Sequence, residues 1–169
     1  VRNTPGAKRF MNPAIEPAAI RHILVLGSIG IGNLLLFSPA LRQLRRHYPN
    51  ARICIIVLSP IFKALYEGEP DVDEVMVIHP GRDKTPGKIW HILRALRQTP
   101  WDLAVTTFPA NRLEYNVLPW LAGARYRIAH QYDTKQWSTL GFLQNIRVPV
   151  NPALHDVEQN NALLGPDRK

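Results

Sequence analysis

Two hydrophobic rhythms alternate along the chain. Short apolar runs, His22 to Leu26, Arg52 to Leu58, Glu74 to Ile78, Asp102 to Thr106 and Tyr126 to Ala129, read as strands, several of them apolar enough to be buried on both faces. Between them the apolar residues recur at helical spacing. Leu41, Leu44 and Tyr48 share a face opposite Arg42, Arg45 and Arg46, and Ser38-Pro39 predicts the start of that helix, with Pro49-Asn50 at its end. A short helix is expected over Ile61 to Tyr66, stopped by Gly68, and Asp71 and Asp73 fall in the following turn. Lys88 to Gln98 carries Ile89, Ile92, Leu93 and Leu96 on one face, with Arg94 and Arg97 near its carboxyl end, where a helix tolerates cations. Leu113 to Leu121 predicts a helix interrupted by Pro119. After Gln131 the pattern weakens: Trp137 to Phe142 reads as a loop or short helix, Arg147 to Val150 as an extended piece, and His155 to Leu164 as the start of a helix. Strands alternating with helices imply right-handed crossovers and an open, mostly parallel α/β sheet flanked by helices.

The length, 169 residues, suits one domain, and 46% hydrophobic with 20% charged residues excludes a disordered polyelectrolyte. Residues 1–20 mix charges with prolines and contain no apolar stretch, so they predict a flexible tail rather than a signal peptide. Ile23 to Leu41 is uncharged over nearly the length of a membrane span, but its glycines, Asn33 and Pro39 break it into a strand, a turn and a helix. The single cysteine, Cys54, sits in an apolar run and reads as a small buried hydrophobe in a reducing compartment. No Cys/His cluster or paired-aspartate motif appears, so no metal is expected. The formal charge of +8 points to an acidic partner: an anionic membrane surface or a nucleic acid.

Gly27-Ser28-Ile29-Gly30-Ile31-Gly32-Asn33 joins the first strand to the first helix, where open α/β sheets bind ligands and helix amides favour anions. The spacing G-x-x-G-x-G reverses the dinucleotide fingerprint, and Leu58-Ser59-Pro60 lacks the acidic residue that would hold a ribose. Gly32-Asn33-Leu34 lacks the lysine of a nucleotide-triphosphate loop. A turn whose helix amides favour an anionic ligand, or glycines that merely permit close strand–helix packing, are the two readings left.

This opening, with Leu34-Leu35-Leu36-Phe37-Ser38-Pro39-Ala40-Leu41 and Tyr48-Pro49-Asn50-Ala51-Arg52-Ile53, resembles glycosyltransferase family 9, the heptosyltransferases of lipopolysaccharide core synthesis. Pro70-Asp71-Val72-Asp73-Glu74-Val75, Trp101-Asp102-Leu103-Ala104-Val105, Leu121-Ala122-Gly123-Ala124-Arg125-Tyr126-Arg127-Ile128 and His155-Asp156-Val157-Glu158-Gln159-Asn160 keep the family's order. The resemblance implies half of a GT-B fold: a Rossmann-like acceptor-side domain over 21–154, then the start of an interdomain helix over 155–169. The donor domain, binding an ADP-heptose-like nucleotide sugar, is expected to be absent from this chain, and this half alone is expected not to transfer sugar. The implied partner is an anionic glycolipid at the membrane surface, met from the cytoplasm by a domain without a transmembrane segment, peripheral on the inner membrane at most. No cofactor beyond the sugar donor is implied.

The family's turn usually ends in an aspartate thought to be the catalytic base. Here Asn33 stands in its place, and an amide orients a hydroxyl or phosphate but has no useful basicity. The alternative role for Asn33 is a helix cap. Glu114 is the substitute base by position, against a solvated place in a helix's first turn. Gly30 and Gly32 of the turn, Asn111 and Arg112 of the loop after the fourth strand, and His130 and Asp133 after the fifth are the candidate substrate contacts, Arg112 by pairing with a phosphate or carboxylate. His155 is expected to pack rather than bind. Two other classes remain: a basic nucleic-acid-binding domain using Arg42, Arg45, Arg46, His47, Lys88, Arg94 and Arg97, and a non-catalytic relic of a transferase.

Overall fold

The structure, a computed structural model, describes residues 15–27, 30–79, 85–132 and 137–165. Its elements are β1 (His22–Leu26), α1 (Ile31–His47), β2 (Arg52–Val57), α2 (Pro60–Tyr66), β3 (Glu74–Val77), α3 (Pro86–Arg97), β4 (Leu103–Thr106), α4 (Leu113–Leu121), β5 (Tyr126–Gln131), β6 (Ile146–Pro149) and α5 (Asp156–Ala162). The strands form one six-stranded sheet in the order β3-β2-β1-β4-β5-β6, every pair parallel. This is the doubly wound order, with its switch point between β1 and β4. The open parallel α/β sheet expected from the sequence is the fold.

Register assigns each strand residue to a face. Ile23 pairs with Ile53 and Leu103, Leu24 with Cys54 and Ala104, so neighbouring strands point alike. Ile23, Val25, Ile53, Ile55 and Val105 pack with Leu34, Phe37, Leu41 and Leu44 of α1 and with Tyr66 and Leu163. Leu24, Leu26, Cys54, Ile56 and Ala104 face the other way, against Leu96, Trp101 and Tyr115.

Helix α1 starts at Ile31, ahead of the Ser38-Pro39 start that the capping rule predicts, and Pro39 lies inside it. A proline there costs about 3 kcal/mol through its missing N–H. Burial of Leu34 and Phe37, about 2 kcal/mol each, offsets that, because both lie on the face of Ala40, Leu41 and Leu44 only if the helix runs through Pro39. Helix α4 likewise continues through Pro119 rather than being interrupted by it.

The chain ends are more integrated than expected. Within the tail predicted for 1–20, Ile15 packs on the core and Ile20 is buried beside a short 3-10 helix, Pro17–Ala19; residues 1–14 lie outside the described residues. The extended piece after Asn145 is a full strand, β6, with Ile146 opposite Ile128. Helix α5 packs on this domain: Gln43 Nε2 donates to the Gly165 carbonyl at 2.9 Å, and buried Asn160 accepts from the Phe108 amide at 2.8 Å. Leu163 at its end joins the cluster that holds Leu34, Phe37 and Leu44 of α1. His155 caps α5 in a reciprocal box with Glu158.

Two carboxylates close the amino-terminal edge of the sheet. Asp102 Oδ2 accepts from the amides of Arg21 and His22 at 2.8 and 3.0 Å. Asp73 Oδ2 accepts from the Ile53 amide and from Arg45 Nη2, both at 2.7 Å. Burial would raise the Asp73 pKa, but the amide and the guanidinium outweigh it and hold the carboxyl below its ordinary range. Among the described residues no helix is long and apolar enough to cross a membrane.

Candidate functional site

The carboxyl ends of the strands carry the loops, and the glycine turn leads them. Gly27 closes the junction of β1, β2 and α1: a Cβ there would stand 2.8 Å from Leu34 Cδ2 and 2.9 Å from the Ile56 carbonyl. Its role is close packing. Ser28 and Ile29 lie outside the described residues. Gly30 begins α1 with φ +109°, a conformation open to glycine and strained for other residues. Gly32 differs from Gly27: it is exposed, and a Cβ there would meet nothing within 4 Å. The turn is thus at the surface, Gly30 and Asn33 being half-buried, and Gly30 at the cap position of α1 has no side chain to bond its first amides. Asn33 is not the cap, because the helix begins at Gly30 and places Asn33 within its first turn. Exposed Ile31, Leu35 and Ile61 add apolar surface on α1 and α2.

A cleft of about 540 Å³ opens beside Gly27, between α3 and α4. Its floor is the strand ends Leu26, Leu58, Ile78 and His79, and its walls are Ile89 and Ile92 from α3 and Leu118 and Leu121 from α4. Arg112 and Glu114 supply charge to this apolar lining, from the start of α4. They stand 3.7 Å apart, both well exposed, a pair worth little to stability but free to re-pair with a ligand. Glu114 therefore has both properties weighed for it: it lies in a solvated first helical turn, and it borders the cleft.

Asn111 and His130 come together elsewhere, in a pocket of about 10 Å³ with Asn116, Tyr132 and Arg147. That volume holds one water and no sugar ring. The His130 ring is buried, with Nδ1 3.1 Å from the Val148 carbonyl and Nε2 2.9 Å from the Gln159 carbonyl. Burial lowers its pKa, while those carbonyls, which only a protonated ring could satisfy together, pull weakly the other way. In this structure the ring pins β5 to β6 and α5, with Phe108 edge-on at 5.2 Å between centroids. Asp133 lies outside the described residues.

Several contributors escaped the sequence reading. Ile78 and His79 follow β3, and the rule that ligands gather at strand carboxyl ends would have found them. Tyr115, Asn116 and Gln144 had no such signal: Asn116 Nδ2 donates to the Thr139 carbonyl at 2.9 Å and Gln144 Nε2 to Asn116 Oδ1 at 3.2 Å, tying the 137–145 segment to α4. Among the described residues no group of three His, Cys, Asp or Glu side chains could hold a metal ion. Cys54 is buried, its thiol pushed up to about 12 by desolvation and then by Glu74, as an inert core residue requires.

Strand order, switch point and glycine turn together define a Rossmann-like domain with its ligand crevice at the carboxyl edge of the sheet. No protein-family model matches the chain. Lipopolysaccharide heptosyltransferase 3 of Escherichia coli is 27% identical over 108 residues, which are 62% of this chain and 31% of that protein. Among solved structures, a glycosyl transferase family 9 protein from Veillonella parvula DSM 2008 superposes with a TM-score of 0.70 at 17% identity, over 85% of this chain and 40% of that one. The E. coli heptosyltransferase WaaC with ADP gives 0.64 at 16% identity, over 86% and 47%. The same enzyme with ADP-2-deoxy-2-fluoro heptose also gives 0.64, at 15% identity. The chain spans about a third of the curated relative's length and under half of each solved chain. The resemblance to glycosyltransferase family 9 holds in sequence and in fold: the chain is similar to part of a heptosyltransferase, and its fold matches that of the glycosyltransferase structures it superposes on.

Proposed function

We propose that the domain is the acceptor-side half of a heptosyltransferase-like enzyme that moves a sugar from a nucleotide-sugar donor to a lipopolysaccharide or related glycolipid. The observation that carries this reading is the cleft at the carboxyl edge of the sheet, reached by Gly27 of the glycine turn at the switch point and bordered by Arg112 and Glu114. Amides and Arg112 suit phosphates or carboxylates of an acceptor. The ADP and ADP-2-deoxy-2-fluoro heptose of the WaaC structures support an ADP-sugar donor, held by a domain outside this chain.

Inverting transfer needs a base to take the acceptor hydroxyl's proton. Asn33 would orient that hydroxyl, and Glu114, its carboxylate in reach of the cleft, would accept the proton. Asn111 and His130 stand further from this reading; their contribution would need the small polar pocket to open. The nucleic-acid alternative loses part of its surface, because Arg45 donates to the Ala51 carbonyl at 2.7 Å and to Asp73 rather than facing solvent.

Titration calorimetry with phosphorylated core oligosaccharide and with duplex DNA tests the reading. Saturable oligosaccharide binding that Gly32→Val weakens is expected. Salt-sensitive DNA binding with no oligosaccharide binding would overturn it. With a donor domain joined to the chain, Glu114→Gln is expected to lower kcat by on the order of a hundredfold, and Asn33→Asp to raise it.

A further inference from the structure

We propose that the outer face of α3 and α4 is a docking surface for a bilayer bearing anionic headgroups. The partner rests on the glycolipid reading above, since a lipid-linked acceptor brings the domain to a membrane; the surface rests on the helices themselves. Helix α3 has an inward stripe of Ile89, Ile92, Leu93 and Leu96, yet only Leu96 is buried. On its outer side Trp90, Arg94 and Arg97 follow one another at i, i+4 and i+7, the spacing of one helix face. Trp90 is 66% exposed, and α3 includes Lys88 but no Asp or Glu. Helix α4 adds an apolar stripe at the same spacing, Leu113, Val117 and Trp120, with Glu114 its one charged residue. Leu113 and Trp120 are about half exposed, at 48% and 50%. Arg97 Nε donates to the Leu121 carbonyl at 2.8 Å, which joins the carboxyl ends of the two helices.

Exposed indoles flanked by arginines suit a membrane interface: the ring sits at the headgroup level and the cations attract anionic lipid. Charge complementarity selects that partner. Exposed Leu113 finds no counterpart on a phosphate backbone, whereas it would rest among acyl chains. The cleft beside Gly27 opens between these helices. A bilayer lying against them would hold a lipid-linked saccharide with its sugar toward the strand ends.

Vesicle co-sedimentation of the full chain tests this, with phosphatidylcholine alone and with phosphatidylglycerol added, at low and high salt. Binding is expected only with phosphatidylglycerol, weakened by salt. Trp90→Ser combined with Trp120→Ser, and separately Arg94→Glu, are expected to lower partitioning by on the order of tenfold. Arg42→Glu makes the same charge change on α1, in the opposite layer, and is expected to bind like the parent chain. Circular dichroism on each variant confirms folding, since the altered residues are exposed. Equal losses in Arg94→Glu and Arg42→Glu would reduce the effect to net charge and overturn the surface. Insensitivity to the tryptophan changes, or capture by DNA in preference to vesicles, would overturn it too. Soluble core oligosaccharide separates the two proposals: its binding should survive Trp90→Ser and Arg94→Glu. Failure of the parent chain to bind it, with vesicle binding intact, would defeat the glycan reading and leave the surface standing.

Discussion

On one face of the sheet Leu34, Phe37, Ala40 and Leu44 of α1 are wholly buried, while on the other Ile89 of α3 keeps 44% of its surface in water. Helix α1 is clamped further by Tyr66, whose hydroxyl donates to the Leu34 carbonyl at 3.0 Å, and by α5. Helix α3 is held through Leu96, Ile92 and the Arg97 bond to α4. The first face carries the stability of the fold; the second leaves a cleft and apolar residues in water. Function gathers where packing is incomplete, because a fully packed face has no room for a ligand.

Truncation tests that contrast most severely. Phe37→Ala is expected to lose about 3–5 kcal/mol in urea denaturation, and Ile89→Ala less than about 1 kcal/mol. Similar losses at both positions would erase the difference between the faces. The glycines sharpen it at the turn. Gly27→Ala is expected to cost about 1–3 kcal/mol, since the new methyl meets the Ile56 carbonyl. Gly32→Ala should be neutral or stabilising by up to about 1 kcal/mol, as its surroundings are open.

Smaller effects test the polar ties. Asp73→Asn is expected to cost about 1 kcal/mol, discounted because the side chain is 43% exposed. With its folded pKa lowered, Asp73 stabilises the protein above the ordinary carboxylate range, and that contribution is lost as pH falls through the lowered value. His130 has a lowered pKa as a base, so below its ordinary 6.5 the unfolded chain takes up the proton first. Stability should therefore fall as pH drops below that value, by at most about 1.4 kcal/mol per pH unit, and His130→Asn should flatten the slope. Cys54 should resist alkylation in the native state and react only on unfolding, with no measurable effect on binding.

The sheet was legible because a strand buried on both faces leaves an unbroken apolar run, as Ile23-Leu24-Val25-Leu26 does. The start of α1 was not legible, since Ser38-Pro39 is a good local start and only the pull of the core on Leu34 and Phe37 overrides it. β6 was read only as an extended piece, because Ile146–Pro149 gains strand character from pairing with β5, a partner remote in sequence. In the site, the position of the glycine turn followed from strand and helix signals, and the family resemblance singled out Asn33. Which glycine packs and which stands open did not follow, because Gly27 and Gly32 differ only in what surrounds them.

Amino-acid order alone determined the alternation of strands and helices, the glycine turn at the end of β1, the cationic balance and the inertness expected of Cys54. These follow from local periodicity and side-chain chemistry. Tertiary structure decided that His130 is a buried pin, that Glu114 and Arg112 meet Gly27 at one cleft, and that Arg97 ties the carboxyl end of α3 to α4. Each of those depends on distances between residues far apart along the chain, which only the packing of helices on the sheet establishes.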